Sequence, residues 1–572
     1  MNENQRAPQP AARSEAMREL FVRAVALHKQ GRPRDAEAVL IDLLRSFPNH
    51  FGALSLLGLL ALRSGRYRRA VITLSRAVEL NQGAAAVYNN LGEAHRHLRR
   101  PKHAIANYDK AIALRPNDTA GYNNKAIALF DLGRYDEAIK NCDTALALQP
   151  NAPRALINKG NALRNLDRMQ EALACYDKAL AIAPGLVKAH LNRGATLHDL
   201  DRLEEALGAC DKAISLKPDY ADAHFNRGNT LRELNRLDEG VASYETAMAL
   251  RPNYAQPRWN LGNLLLLKGD FEKGLPLYEH RIKGQASAKR RSYTQPLWKG
   301  AESIAGKTLF IYRELFLGDM IQFCRYAKLA EAKGAKVVLA AQNALHRLLG
   351  TLSPTVEVIA DDGEPAHFDL HCPLMTLPLA FDTRLETIFA PVPYLGAEPE
   401  RVETWKRKIG EDGIKVGICW QGSTTAYAAK LQRSFPLALF RDLSLLPGVR
   451  LISLQKSDGA DQLSHLPEGM RVETLGEEFD SGPDAFLDSA AVMQSLDLVI
   501  TTDTALAHLA GALGRPVWTI VKHIPDWRWL LERPDCPWYP SMRLFRQRAR
   551  GDWQSAFDAV RSAFIERFHV GE

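Results

Sequence analysis

The chain has 572 residues, 46% of them hydrophobic and 24% charged, with a formal net charge of +8. That length exceeds what one core can hold and predicts two or three domains of ordinary globular composition. The charge is mild for the size, and without a basic block or an aromatic–basic stripe it gives no reason to expect nucleic acid as a partner.

Residues 1–15, rich in Gln, Asn, Pro and Ala, read as a disordered tail without the apolar core of a secretion signal. The longest apolar run, residues 51–62, is too short to cross a bilayer, so no transmembrane segment is expected and a cytoplasmic location is. Seven cysteines stand singly, with no C-x-x-C pair and an odd count, which argues against a disulfide framework or a zinc site.

Residues 16–283 follow one period of 34. Pro48, Pro116, Pro150, Pro184, Pro218 and Pro252 mark it, with Gln82 in the one slot lacking proline. Ala70, Ala104, Ala138, Ala172 and Ala206 keep the same beat, as do Ala77, Ala111, Ala145, Ala179, Ala213 and Ala247. Small residues recurring this way suit close helix–helix approach. Asn90, Asn124, Asn158, Asn192, Asn226 and Asn260 form a further series, which packing alone does not account for.

The segment Tyr88-Asn89-Asn90-Leu91-Gly92, then Ala104, Tyr108-Asp109-Lys110-Ala111 and Leu114-Arg115-Pro116, resembles a tetratricopeptide repeat. The resemblance implies a solenoid of antiparallel helix pairs, each completing its neighbour's core. Its last unit, around Trp259-Asn260-Leu261-Gly262, shortens before Tyr278-Glu279-His280-Arg281. In such repeats the first helix of each pair lines the concave face, which is where the asparagines fall. The column resembles the asparagine ladder of O-linked N-acetylglucosamine transferase, and a bound protein or peptide in that groove is the implied partner. Alternatively, each amide bridges neighbouring helices within the stack.

A basic, turn-rich linker (residues 284–302, with Lys289-Arg290-Arg291) precedes a different pattern. Candidate strands at 308–312, 336–340, 356–359, 416–420, 451–455, 498–501 and 517–521 alternate with helical stretches such as 320–333, 400–409 and 437–446. Such alternation predicts α/β architecture with parallel sheets. The restart at Ile414 suggests two Rossmann-like lobes, residues 303–408 and 409–572.

Ligands of open α/β sheets sit beyond the strands' carboxyl ends, so three loops stand out. They are Gly318-Asp319; Trp420-Gln421-Gly422-Ser423 with Lys430 and Arg433 downstream; and Thr501-Thr502-Asp503-Thr504, opening a helix through His508 to Gly514. A helix amino terminus with hydroxyls at its mouth suits a diphosphate.

Asp503-Thr504-Ala505-Leu506-Ala507-His508, running on to Gly514-Arg515-Pro516, resembles the donor-side motif of bacterial heptosyltransferases. Gly318-Asp319 is similar to their acceptor-side motif, though Glu314-Leu315-Phe316 stands where relatives carry small residues. The resemblance implies a two-lobed, GT-B-type, inverting and metal-independent glycosyltransferase that uses a nucleotide-diphospho-sugar and no cofactor. Asp319 would be its general base, Arg433 and Lys430 would neutralise the departing diphosphate, and Asp503 and Thr504 would hold sugar and phosphates. Gly422 and Ser423 belong to the donor loop, Gln455 and Lys456 would reach base or ribose, and His508 is a minor donor-site candidate. Each has a plainer alternative: Asp319 as a helix cap, the cations as solvated charges, His508 as a core histidine, and Trp527 and Trp529, which would otherwise wall the nucleotide, as a cap on the sheet. Two rivals for the whole chain are an interaction scaffold with a degenerate transferase half, and a surface-polysaccharide or lipopolysaccharide transferase that docks through its repeats.

Overall fold

A computed structural model describes residues 10–281, 291, 293–314, 316–425 and 432–571, with side chains from residue 14 onward. Helix α1 (Pro10–Lys29) opens the chain, so residues 10–15 are helical where a tail was expected; residues 1–9 lie outside the described residues.

Helix α2 (Pro33–Ser46) completes the first pair. From there the period holds to the residue. The first helices of the pairs are α3 (Phe51–Arg63), α5 (Ala85–His97), α7 (Thr119–Asp131), α9 (Pro153–Asn165), α11 (Val187–Asp199), α13 (Ala221–Glu233) and α15 (Ala255–Leu267). The second are α4 (Tyr67–Leu80), α6 (Pro101–Leu114), α8 (Tyr135–Leu148), α10 (Met169–Ile182), α12 (Leu203–Leu216), α14 (Leu237–Leu250) and the shortened α16 (Phe271–Tyr278).

Within each pair the turn is made by one left-handed residue: Gly31, Gly65, Arg99, Gly133, Asp167, Asp201, Asn235 or Gly269. Glycine adopts that backbone freely, and Asp or Asn tolerates it. An arginine follows in most repeats, and its guanidinium pairs with a glutamate one turn into the next helix: Arg134–Glu137, Arg168–Glu171, Arg202–Glu205 and Arg236–Glu239, each at 2.6–2.7 Å. Neighbouring repeats are tied by a second ladder, Lys125–Asp109, Lys159–Asp143, Arg193–Asp177 and Arg227–Asp211, at 2.6–2.8 Å.

By packing, the chain divides into two compact units, one running to Thr230 and the other beginning at Leu231. Helices α14–α16, although repeat-like in sequence, belong to the second unit.

That second unit contains two parallel sheets. One has the order β3-β2-β1-β4, from β1 (Thr308–Tyr312), β2 (Lys336–Ala341), β3 (Glu357–Ala360) and β4 (Leu370–Pro373). The other has the order β6-β5-β7-β8-β9, from β5 (Ile414–Cys419), β6 (Val449–Ser453), β7 (Leu498–Thr502), β8 (Val517–Val521) and β9 (Met542–Arg546). Every pairing is parallel, so each sheet gathers the loops leaving its strands on one edge. The core of the larger sheet joins Val416, Ile418, Trp420, Leu498, Ile500 and Ile520 to Phe557, Val560 and Phe564 of the helix Trp553–Phe568.

Strands β4 and β9 were not among the expected strands. Leu370-His371-Cys372-Pro373 is too short and too polar to read as a strand, yet it is buried against β1. β9 interleaves arginines with apolar residues at the sheet edge. The helix expected at 320–333 is two helices, Leu317–Phe323 and Arg325–Ala332. The one expected at 437–446 is a 3-10 turn, Leu437–Phe440, followed by the short helix Arg441–Ser444.

Candidate functional site

The loops that follow β1, β5, β7 and β8 converge in the second unit. Gly318 lies so close to the helix Ala505–Ala512 that an added Cβ would stand 2.9 Å from the His508 ring. Next to it, Asp319 is buried, and its Oδ1 accepts from Nη2 of Arg528 at 2.6 Å. Its Oδ2 accepts the longer, 3.3 Å bond from the amide of Phe316, in the manner of a cap. Both the cap role and a place inside the site are therefore realised in one side chain. Burial raises the Asp319 carboxyl above its ordinary range, and the Arg528 guanidinium opposes that shift. Phe316 keeps 37% of its surface exposed.

Arg528 stands between two carboxylates, because its Nη1 also donates to Asp526 at 2.7 Å. Its guanidinium lies over the rings of Phe323 and Trp527, at 5.3 and 5.0 Å from their centroids. Neither Asp526 nor Arg528 was singled out in the sequence. The signal available was a salt-forming pair set among tryptophans, in Asp526-Trp527-Arg528-Trp529.

Asp503 follows β7 in the same neighbourhood. Desolvation raises its carboxyl, with Arg433 and Arg528 acting against the shift and Asp526 reinforcing it. Thr504 is the N-cap of the helix Ala505–Ala512 but makes no side-chain cap bond, and its hydroxyl meets that of Thr501 at 3.2 Å. The first amides of that helix are thus left without a side-chain acceptor.

Arg433 is drawn to the strand because the Thr502 hydroxyl donates to its backbone carbonyl. Its guanidinium lies along Gly422, where a Cβ would sit 2.9 Å from Nε, so only glycine leaves it room. Among the described residues, the buried Nε has no hydrogen-bond acceptor. The Gly422 amide donates to the Ser434 hydroxyl at 3.1 Å. Ser423 is exposed and meets Thr425 at 3.4 Å. Lys430 lies outside the described residues. A cation absent from the sequence reading, Lys522, leaves β8 at the same edge. Its ammonium is lowered by burial and steadied by Glu233 and Asp503.

The remaining candidates are spent on structure. The Gln455 Oε1 accepts from the amides of Trp420 and Gln421 at 3.2 and 3.1 Å, while its Nε2 donates to the carbonyls of Gln421 and Asp458 at 3.0 and 2.7 Å. It shapes the donor loop rather than extending from it. Lys456 donates to the carbonyls of Glu477 and Phe479. His508 is enclosed, bonded through Nδ1 to the Tyr539 hydroxyl at 3.0 Å and stacked on Trp529 at 5.2 Å. Burial and the nearby arginines hold its imidazole well below the usual range, so it is neutral. Trp527 and Trp529 are buried core residues.

All six ladder asparagines are half-buried on the first helices. In the middle repeats their amides bridge the stack: Asn124 donates to Asn89 at 3.0 Å, Asn158 to Asn123 at 2.7 Å, and Asn192 to Asn161 at 2.7 Å. Asn260 interacts with Tyr244. Asn90 and Asn226 occupy the equivalent places.

A separate cleft of about 780 Å³, lined by Arg347, Glu398, Arg401, Trp405, Lys408 and Asp488 among others, draws on a different part of the unit. Its charges are largely paired with one another, as in Arg401–Asp488 at 2.7 Å and Lys408–Glu478 at 2.5 Å. No described helix is long and apolar enough to cross a membrane.

Family comparisons agree with this division of labour. Tetratricopeptide-repeat families match residues 21–85, 55–119, 123–187, 187–220, 209–242 and 228–269. The glycosyltransferase family 9 (heptosyltransferase) model matches residues 447–529, which include Asp503, Thr504, His508 and Arg528. Protein FlbA of Caulobacter vibrioides is 28% identical over 307 residues, covering 50% of this chain and 51% of that protein. The chain thus spans about half the length of that curated relative. Among solved structures, a tetratricopeptide repeat protein from Parabacteroides merdae is 16% identical, covers 43% of this chain and 98% of its own, and has a TM-score of 0.39. TTC0263, a tetratricopeptide protein of Thermus thermophilus, is 23% identical, with 32% and 100% covered and a TM-score of 0.30.

Proposed function

We propose that this chain, which joins tetratricopeptide repeats to a glycosyltransferase family 9 domain, is an inverting glycosyltransferase of two-lobed, GT-B type. Its donor is a nucleotide-diphospho-sugar, and its repeats hold a protein or polymer acceptor. The observation that carries the reading is the contact of Asp319, from the loop after β1, with Arg528 of the larger sheet, whose charge also bears on Asp503 together with that of Arg433. One carboxylate at the acceptor side and, at the donor side, a guanidinium whose Nε has no acceptor among the described residues are what displacement at an anomeric carbon calls for.

In the step proposed, the acceptor oxygen bonds to the anomeric carbon from the face opposite the diphosphate. The carbon–oxygen bond to the diphosphate breaks, and its electron pair leaves with the nucleotide. The acceptor's proton passes to Asp319. Arg433, Thr504 and the uncapped amides of the helix Ala505–Ala512 receive the charge that builds on the leaving group, so no metal is needed for it. Asp503 accepts from sugar hydroxyls. In the groove, Asn124, Asn158 and Asn192 each spend one amide hydrogen on the stack, which leaves their carbonyl oxygens to accept from a guest backbone. Seven buried, unpaired cysteines suit a reducing, cytoplasmic setting.

The test is a panel of uridine, guanosine, adenosine and cytidine nucleotide sugars on the full-length chain, read by melting temperature and by release of the free nucleotide. A rise with one donor class supports the reading. No shift with any of them leaves the interaction scaffold with an inert transferase half, for which the engagement of both Asp319 oxygens is the favouring observation.

A further inference from the structure

The acceptor-side loop is fastened from outside by two buried arginines. At its start, Glu314 receives Arg281, whose Nη2 donates at 2.8 Å. At its end, Asp319 receives Arg528 at 2.6 Å. The second contact carries chemistry as well as structure. A carboxylate buried this deeply ordinarily takes up a proton, and a protonated acid is useless as a base. The groups that bear on Asp319 are Arg528, Asp526, Glu314 and Tyr278, together with the Phe316 amide; of these side chains only Arg528 brings positive charge. The planar fork of Arg528 allows it to grip Asp526 and Asp319 at once, which a lysine's point charge does less rigidly.

We propose that Arg528 is the positioning residue for Asp319: anchored by Asp526, it holds Oδ1 at 2.6 Å, and Oδ2, which bears the longer 3.3 Å bond from the Phe316 amide, is the oxygen that receives the acceptor's proton. This rests on the reading of Asp319 as the base.

Infrared difference spectra of the full-length protein against Asp319→Asn isolate this one carboxyl. The wild type shows no protonated-carboxyl band from Asp319 at neutral pH. Arg528→Met shows one, and Arg528→Lys restores the ionised form. A band already present in the wild type, or absent in Arg528→Met, overturns the proposal. Turnover of whichever nucleotide sugar of the panel is consumed gives the second readout. Its acid limb moves to higher pH by about one to three units in Arg528→Met, and an unmoved limb counts against the proposal. If Arg528→Met fails to fold, Arg528→Lys decides: lowered kcat with unchanged donor KM supports the role, and wild-type kcat refutes it. Full turnover in Asp319→Asn removes the base reading alone, while the infrared band still decides whether Arg528 holds the charge.

Discussion

The second unit buries charge in a way that the first does not. In the first, ion pairs recur from repeat to repeat at exposed sites from Lys125–Asp109 onward; Lys159 and Asp143 keep 26% and 50% of their side-chain surface. In the second, beside exposed pairs such as Arg347–Glu398, two clusters are buried: Arg281 is 2% exposed between Glu279 and Glu314, and Arg528 is 9% exposed between Asp319 and Asp526. A repeated exposed pair is a solvated, redundant tie, and losing one changes little. A unique buried cluster costs desolvation, and removing one partner strands the others. Evolution keeps such an expense where geometry has to be fixed, and here both clusters grip the ends of the loop that carries Asp319.

The comparison is tested most severely at that loop. Asp319→Asn is expected to lower turnover by about 10²–10⁴-fold while leaving the nucleotide-induced melting shift intact, as measured by steady-state kinetics beside thermal shift. Arg281→Met removes the buried guanidinium shared by Glu279 and Glu314, leaving Lys299 at 3.7 Å from Glu279, and should cost about 3–5 kcal/mol in denaturant unfolding. A loss under 1 kcal/mol would mean that the cluster is no keystone.

Burial in the second unit also predicts an acid sensitivity. His508 is neutral in the fold, its proton affinity depressed by burial, whereas the unfolded chain takes up that proton below about pH 6.5. The unfolded state then binds more protons, so this residue's stabilisation is present above that pH and is lost on acidification, at up to about 1.4 kcal/mol per unit. His508→Phe should flatten the slope of stability between about pH 6.5 and 5. The wild-type slope retained in the variant would assign it to other buried histidines, such as His95 and His371.

The repeats are legible because a period repeats its own evidence: the 34-residue register of prolines and alanines recurs in the helix starts from Phe51 to Phe271. What escaped was the left-handed column from Gly31 to Gly269, since Arg99, Asp167, Asp201 and Asn235 disguise a backbone conformation as a choice of side chain. In the α/β part, β1 and β8 are found at the residues expected, because continuous apolar runs mark buried parallel strands. The motif loops were legible too, as sequence neighbours of those strands. The partnership of Asp319 with Arg528 was not, for 209 residues separate them and nothing local signals a contact made by tertiary packing. Gln455, Lys456 and His508 were drawn toward the donor by their position at strand ends, but each is committed to the fold by bonds that only coordinates reveal.

Within the repeats, one position shows that periodic does not mean interchangeable. Gly160 faces Tyr176, and an added Cβ would stand 2.6 Å from that ring; Gly194 faces Cys210, with its nearest contact at 3.2 Å. Where the same column carries Ala126, the facing residue is again a cysteine, Cys142. Gly160→Ala should therefore destabilise by about 1–3 kcal/mol through overpacking. Gly194→Ala should lie within about 1 kcal/mol of neutral, because the better helix propensity of alanine offsets the tighter contact. Equal losses in the two variants would show that the column is governed by backbone approach rather than by the size of the facing side chain.

The smallest expected effect belongs to the exposed ladder. Asp143→Asn removes the partner of Lys159, but Lys159 keeps access to water and the neighbouring repeats keep Lys125–Asp109 and Arg193–Asp177. The change in unfolding free energy should stay within about 0.5 kcal/mol and shrink further in high salt. The same substitution made in two adjacent repeats should add without coupling, since each pair touches only its own interface. A cooperative loss well above 1 kcal/mol in the double variant would mean that the ladder acts as a connected network. In that event the contrast with the singular buried clusters around Asp319 would be one of position alone, not of energetic kind.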